Sequence, residues 1–171
     1  AGVTQAALRI SASAAPKPIA ENDVVKALTD LGYKATDATK EHLVAEVFWR
    51  RFDSQEPRPL DRRRSPANRA TDVLLDFALV VADETELAAA CTVALLADDP
   101  EVRELRLRIG LEMHRRLTEA VGGDASPVAI QTLELATTGA LLQVGTGHLA
   151  YDAVPDLLAE AAALVLGGAA R

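Results

Sequence analysis

The sequence predicts an all-α protein. Ala and Leu dominate the chain and aromatic residues make up only 4% of it, a composition that favours helices over sheets. No segment alternates apolar and polar residues for long enough to build a sheet. Apolar residues instead recur at helical spacing between capping residues and helix breakers, so we expect a bundle of helices.

The first 39 residues are predicted to form a separate N-terminal segment. Residues 1–10 have weak helical character, and residues 11–18 form a linker of Ser, Ala and Pro that should be extended. A short helix is expected from about Asn22 to Leu31, where Gly32 stops it. Residues 40–171 then form the main helical domain.

Three helices are predicted next, each from a capping residue followed by an apolar stripe. Thr39 and Asp83 are credible caps, and Ser65 precedes a proline at the first helical position, where the missing N–H costs nothing. The predicted helices span residues 40–52, 66–81 and 84–97.

A longer, central helix is predicted between Asp99-Pro100 and Gly122-Gly123. Two apolar stripes lie on nearly opposite sides of it, and a third face carries charges at spacings that allow ion pairs. The first stripe contains Val102, Leu105, Ile109, Met113 and Leu117, and the second contains Leu107, Leu111 and His114. We therefore expect neighbours on two sides of this helix and water on one.

The last two predicted helices are unusually poor in charge. In residues 125–151, Glu134 is the only Asp, Glu, Lys or Arg. Ser126-Pro127 begins one long helix, which should be buried on all sides, and a second apolar helix spans residues 155–166. One small domain cannot easily hide both, so we expect a homodimer related by a two-fold axis. The predicted interface residues are Leu135, Gly139, Leu142, Gln143, Leu158, Ala162 and Val165.

Charge is divided unevenly along the chain. Residues 1–70 carry a net charge of +3 and residues 71–171 carry −10. Any contact with a polyanion should therefore come from the N-terminal part, although both parts could simply be solvated. The basic cluster of Arg50-Arg51 and Arg62-Arg63-Arg64 has the same two interpretations, with a solvated loop favoured over phosphate contact.

The composition argues against several other classes of protein. The most apolar windows are interrupted by polar residues, so we expect no membrane span. The single cysteine, Cys91, cannot form an internal disulfide, and we expect a cytoplasmic protein. The three histidines lie on different helices without spaced partners, so we expect no metal, no cofactor and no catalytic site.

Two segments of the main helical domain resemble a known protein family. The segment Lys40 to Phe48 is similar to the start of the fourth helix of TetR-type transcriptional regulators, and Ala70 to Tyr151 resembles their ligand-binding and dimerisation domain. The resemblance covers about 130 of the 171 residues. It implies an all-α homodimer in which the last two helices build a four-helix interface, with an effector pocket enclosed by the preceding helices.

The N-terminal segment resembles pieces of the same family in the opposite order. Residues 1–9 are similar to the recognition helix of its helix-turn-helix, which makes Thr4, Gln5 and Arg9 the candidate DNA-binding residues. Residues 31–36 are similar to the end of the family's first helix, which normally precedes the recognition helix. The segment is either a remnant or rearranged DNA-binding unit, or an unrelated one.

The candidate functional site is an effector pocket. Its predicted residues come from four helices and are mostly apolar with a few polar tips, as in many ligand cavities, although each could also be ordinary core. They are Trp49, Phe52, Phe77, Cys91, Leu95, Met113, His114 and Leu117. Two functions remain open: a ligand-responsive regulator, expected to be a repressor, that binds DNA as a homodimer, and a dimeric small-molecule-binding module without DNA binding.

Overall fold

The computed structural model describes residues 39–82, 84–123 and 125–167. These residues form six α-helices and one turn of 3₁₀-helix, and none of them is in a β-strand, so the predicted fold class is confirmed. The helices are α1 (Lys40–Ser54), α2 (Pro66–Ala78), α3 (Thr85–Ala94), α4 (Pro100–Val121), α5 (Pro127–Gly145) and α6 (Val154–Gly167). The 3₁₀ turn is Tyr151–Ala153.

Several predictions fall outside the described residues. The predicted helix of residues 22–31, the linker before it and the cap at Asp83 belong to this group. So do the candidate DNA-binding residues Thr4, Gln5 and Arg9.

Four helices begin at the predicted caps. The hydroxyl groups of Thr39, Ser65 and Ser126 each accept a hydrogen bond from the backbone N–H three residues further on, at 3.2 Å. The Asp99 carboxylate accepts from two N–H groups in the first turn of α4, at 2.8 and 3.1 Å. These bonds satisfy N–H groups that the helix itself leaves unpaired, and so they fix where the chain enters each helix.

Helices α2 and α3 are shorter than predicted. Helix α2 ends at Ala78, because residues 79–82 form turns with i to i+3 hydrogen bonds between backbone groups. These turns place Val80 and Val81 in the core at 7% and 3% exposure. Helix α3 ends at Ala94 and has no side-chain cap at Glu84. Tertiary burial here overrides the helical spacing seen in the sequence.

The core lies between two layers of helices, one made of α2 and α6 and the other of α1 and α3. Helix α2 packs against α4 and α6, whereas α1 packs against α3 and α4, and α5 closes the other side against α3 and α6. The largest fully buried side chains are Phe52, Leu74, Leu117, Leu133 and Leu158. Helix α4 therefore contacts both layers, as a central helix should.

One expectation about α4 is wrong for the single chain. Its first stripe is buried, including Val102 at 0% and Met113 at 5% exposure. The second stripe is on the surface, since Leu107 and Leu111 are 62% and 61% exposed and His114 is exposed as well. The reason is that α1, α2 and α5 bury the first stripe, whereas the second stripe is left at the surface, where His114 pairs with Glu134 of α5.

Helix α5 is also not buried on all sides within one chain. Its inner face carries Ile130, Leu133 and Ala140, which are buried. Its outer face is apolar but exposed, with Val128 and Leu135 at 70% and 67% exposure. The sequence could not distinguish these faces, because both are lined by apolar or small residues.

The end of α5 lies very close to α3. A Cβ atom at Gly145 would lie 2.7 Å from Cγ2 and 2.8 Å from Cβ of Thr92. Gly147, two residues later, has a φ of +75°, which favours glycine. The close approach of α5 to α3 is therefore at Gly145, whereas Gly147 is needed for its backbone conformation.

None of the helices in the described part of the chain is both long and apolar enough to cross a membrane.

Candidate functional site: a cavity between the helices

A cavity of about 320 Å³ lies between the two helical layers. Its walls come from α2, α3, α4 and α5, with one residue of α1 and one of the 3₁₀ turn, and most of the surface is apolar. The apolar wall residues include Phe48, Phe77, Val81, Leu95, Ile109, Met113 and Leu141. Its volume lies at the lower end of the range for small-molecule sites, roughly 300–1,000 Å³.

Aromatic residues form one end of the cavity. The rings of Phe48 and Phe77 meet edge to face with their centres 5.4 Å apart. The Tyr151 hydroxyl donates a hydrogen bond to the backbone carbonyl of Ala78, which ties the 3₁₀ turn to the end of α2. This end of the cavity is therefore held by contacts between α1, α2 and the segment before α6.

Three threonine hydroxyls line the walls, and each has already used its hydrogen. Thr92, Thr137 and Thr138 donate to the carbonyl oxygen four residues earlier in their own helices, at 3.2, 2.8 and 2.9 Å. A hydroxyl oxygen that donates in this way retains acceptor capacity. The walls consequently offer a ligand hydrogen-bond acceptors.

One cation and one carboxylate are found among the lining residues. Nη1 of Arg106 donates to the backbone oxygen of Leu95 at 2.7 Å. On the other side, the Glu134 carboxylate pairs with Nδ1 of His114 at 2.8 Å. Arg106 and His114 are eight residues apart on α4, which corresponds to about 12 Å along the helix axis.

Cys91 lines the cavity as a neutral thiol. The residue is 3% exposed, and its Sγ lies 4.0 Å from the backbone oxygen of Val44. Burial raises the pKa of the Cys91 thiol to about 12. A protonated, enclosed thiol behaves as a small apolar side chain rather than as a nucleophile.

Four of the eight predicted pocket residues line this cavity: Phe77, Cys91, Leu95 and Met113. The other four lie elsewhere. Phe52 and Leu117 belong to the close-packed core, at 1% and 0% exposure, and Trp49 packs against the core partly buried. His114 is on the surface, where it contacts the cavity only through its pairing with Glu134.

Sequence reasoning missed most of the polar lining. Arg106 was assigned to none of the predicted faces of α4, and the threonines of α5 belonged to a run of apolar or small residues. Only the arrangement of α3, α4 and α5 around one space brings them together. Phe48 could have been selected, because it lies one helical turn before Phe52 on the inward face of α1.

The basic cluster is largely paired within the molecule. Arg50 pairs with Glu46 in its own helix, Arg51 reaches Glu84, and Arg64 reaches Asp72. These arginines therefore already have carboxylate partners, and this favours the interpretation as a solvated surface.

No group of three His, Cys, Asp or Glu side chains within the described residues is arranged to hold a metal ion.

The residues predicted for a dimer interface are divided between surface and core. Leu135 and Leu142 are 67% and 42% exposed, and Gln143 is exposed beside them. A Cβ atom at Gly139 would meet no atom within 4 Å. Val165 is partly buried against the core.

Helix α6 presents different residues from those predicted. Leu158 and Ala162 are buried inside the protomer, at 1% and 0% exposure. Leu157 and Leu164 face outward instead, at 45% and 72%. The exposed leucines of α6 therefore lie on a different face from the one expected, about a third of a turn around the helix.

Comparison with known proteins adds a second line of information. This chain is similar to proteins named as transcriptional regulators. It is 45% identical over 134 residues to uncharacterized HTH-type transcriptional regulators of Mycobacterium bovis and Mycobacterium tuberculosis. The aligned region covers 77% of this chain and 62% of each relative, so the chain spans less than two thirds of their length. No protein-family model matches the chain, and no solved structure does so.

Proposed function

We propose that this chain is the effector-binding and dimerisation part of a TetR-like transcriptional regulator. Residues 40–171 would bind a small, largely apolar effector and pair with a second copy, and residues 1–39 would belong to the DNA-binding part. In this proposal the homodimer is a repressor whose affinity for DNA changes when the effector binds. The similarity to proteins named HTH-type transcriptional regulators supports the assignment.

The observation that carries the proposal is the cavity. Its apolar walls come from four helices and include a few convergent polar groups, as is usual for a small-molecule site. A fully packed core would leave no such space. The cavity also adjoins α4, the helix that contacts both layers of the bundle.

The contacts between α4 and α1 suggest how an effector could act at a distance. The Thr39 hydroxyl donates to the Asp99 carboxylate at 3.1 Å, and the His42 imidazole pairs with Glu101. These contacts join the first turns of the two helices. A shift of α4 would therefore move the start of α1, which directly follows the N-terminal segment.

Apolar packing reinforces this connection. Ala45 of α1 is buried in a small cluster with Val102 and Leu105 of α4, and Leu95 of the cavity wall packs against the same cluster. In a dimer, a movement of α1 in each protomer would change the spacing of the two DNA-reading helices, which must match half-sites about one helical turn apart. The bound effector would favour one of two relative orientations of the protomers.

An electrophoretic mobility shift assay at fixed salt tests the DNA-binding part of the proposal. The 171-residue chain and the protein encoded by the complete gene are each mixed with DNA from upstream of that gene. We expect the complete protein to retard this DNA specifically, and to do so less when an effector occupies the cavity. No specific retardation by either protein would contradict the proposal.

The second candidate is a dimeric small-molecule-binding module without DNA binding. The reversed order of the two helix-turn-helix-like segments, residues 1–9 and 31–36, favours it. The same assay separates the two functions. If the complete protein binds no DNA while the cavity still binds small molecules, the module is the correct assignment.

A further inference from the structure

We propose that the cavity binds an amphipathic carboxylic acid, with the apolar chain between the helices and the carboxylate held by the guanidinium group of Arg106. This inference rests on the proposed function, because it names the chemical class of the effector. It is carried by the two charged side chains that line the cavity, Arg106 and Glu134. Arg106 donates to a backbone carbonyl, whereas Glu134 pairs with an imidazole.

Arg106 is placed to receive an anion. Its guanidinium is oriented by a single hydrogen bond to the carbonyl of Leu95, itself a cavity residue, and a guanidinium has further N–H donors to offer. Among the described residues no carboxylate lies within 4 Å of it. By contrast, Arg108 and Arg115 on the same helix are paired with Glu104 and Glu112.

The opposite end of the cavity is less suited to a charged ligand. The Glu134 carboxylate already has the His114 imidazole as a partner at 2.8 Å. A cationic ligand would have to compete with that imidazole, whereas an anionic ligand at Arg106 would displace no partner. The cavity therefore favours a negative head group at the Arg106 end.

The space between the two ends suits an apolar chain. Ile109, Met113 and Leu141 line it, and the stretch of α4 from Arg106 to Met113 is about 10 Å long. The threonine hydroxyls along the walls offer acceptors, which would repel an anion placed deeper. A carboxylate also fits a single guanidinium better than a phosphate monoester, whose charge of about −2 would call for more than one cation.

Isothermal titration calorimetry on the whole chain tests this assignment with three probes of equal chain length. These are decanoate, the neutral decanol and the cationic decylammonium. The two ionic probes are kept below their micelle-forming concentrations, and decanol is kept below its solubility limit. The variant Arg106→Gln removes the charge at the cavity. Arg108→Gln is the matched control, because Arg108 is exposed on the same helix like Arg106 but does not line the cavity.

We expect decanoate to bind more tightly than the other two probes. Arg106→Gln should weaken decanoate binding by about three- to tenfold, the range for a partly exposed charge-assisted hydrogen bond, and should leave decanol binding unchanged. Arg108→Gln should change neither affinity.

Two results would overturn the inference without affecting the effector site itself. One is equal binding of decanoate to the native chain and to Arg106→Gln, and the other is tighter binding of decanol or decylammonium than of decanoate. If none of the three probes binds, both this inference and the proposed effector site are contradicted.

Discussion

At the scale of single residues, Arg116 is the one charged residue that is buried among the described residues. It is 8% exposed, and Nε donates to Glu112 at 2.6 Å while Nη2 donates to the backbone oxygen of Phe52 at 3.1 Å. The guanidinium carbon also lies 4.3 Å from the centre of the Phe52 ring. Both the hydrogen bond and the ring contact join Arg116 of α4 to Phe52 near the end of α1. Arg116 therefore fixes the end of α1 against α4 and keeps Phe52 in the core.

The substitution Arg116→Met tests this role. It keeps much of the apolar stem but removes the donor to Glu112 and one of the two donors to the Phe52 carbonyl, the other being the Gln55 N–H. We therefore expect a loss of about 2 kcal/mol in the free energy of unfolding. The control Arg108→Met removes an exposed pair with Glu104 and should cost less than about 0.5 kcal/mol. Urea unfolding followed by circular dichroism measures both, and equal losses would contradict the assigned role.

The lowered pKa of Glu112 predicts how the free energy of unfolding depends on pH. Hydrogen bonds from Arg115, and then from Arg116, lower the pKa of Glu112 from 4.5 to about 2. A lowered pKa in the folded state stabilises the protein above pH 4.5, and this contribution is lost as the pH falls from 4.5 toward 2.

The variant Glu112→Gln lacks that titration. We expect it to be less stable than the native chain at neutral pH, and the difference in unfolding free energy to shrink as the pH is lowered toward 2. Thermal or urea unfolding at a series of pH values measures the difference. A gap that stays constant over this range would show that Glu112 is not the group responsible.

At the scale of elements, α5 contains two glycines with opposite roles. A Cβ atom at Gly145 would collide with Thr92, including its Cβ, whereas one at Gly139 would meet nothing within 4 Å. We therefore expect Gly145→Ala to lower the melting temperature, since α3 and α5 would have to separate. Gly139→Ala should raise stability by about 0.5–1 kcal/mol, because alanine favours the helix.

Differential scanning calorimetry of the two alanine variants provides the comparison. They carry the same substitution in the same helix, so helix propensity alone predicts the same sign for both. Stabilisation by Gly145→Ala would mean that the close approach of α3 and α5 is absent in solution.

The sequence predicted the starts of helices better than their faces. Ser126 and Asp99 are visible as caps because capping needs only local residues. The faces of α5 and α6 were not visible, because apolar or small residues occur on nearly all sides of both. Leu158 was expected at an interface, yet it is core, since the orientation of α6 depends on which neighbouring helices it packs against.

At the scale of the whole molecule, the cavity shows the same limit. Phe77 and Met113 could be selected from the sequence because large apolar side chains of packed helices meet near the core. Arg106 could not, since its position at the cavity depends on how α3 and α4 are joined. The sequence therefore predicted apolar residues of the site better than polar ones, whose place at the cavity depends on how neighbouring helices are packed.

The outer surfaces of α5 and α6 support the proposed dimer. They expose Val128, Leu135 and Leu142 on one helix and Leu157 and Leu164 on the next. Exposed apolar side chains on two neighbouring helices are typical of interaction sites, and a two-fold axis would let these two helices meet their copies in a four-helix arrangement. Gly139, which has open space around it, lies within the exposed stripe of α5.

Sedimentation equilibrium of the chain at micromolar concentration tests this central claim most directly. We predict a particle of twice the 18.1 kDa chain mass. Gly139→Arg should be monomeric because its side chain projects into the interface, and the control Gly123→Arg, in open space outside α5 and α6, should remain dimeric. A native chain that sediments as a folded monomer, or a Gly139→Arg variant that stays dimeric, would contradict the account.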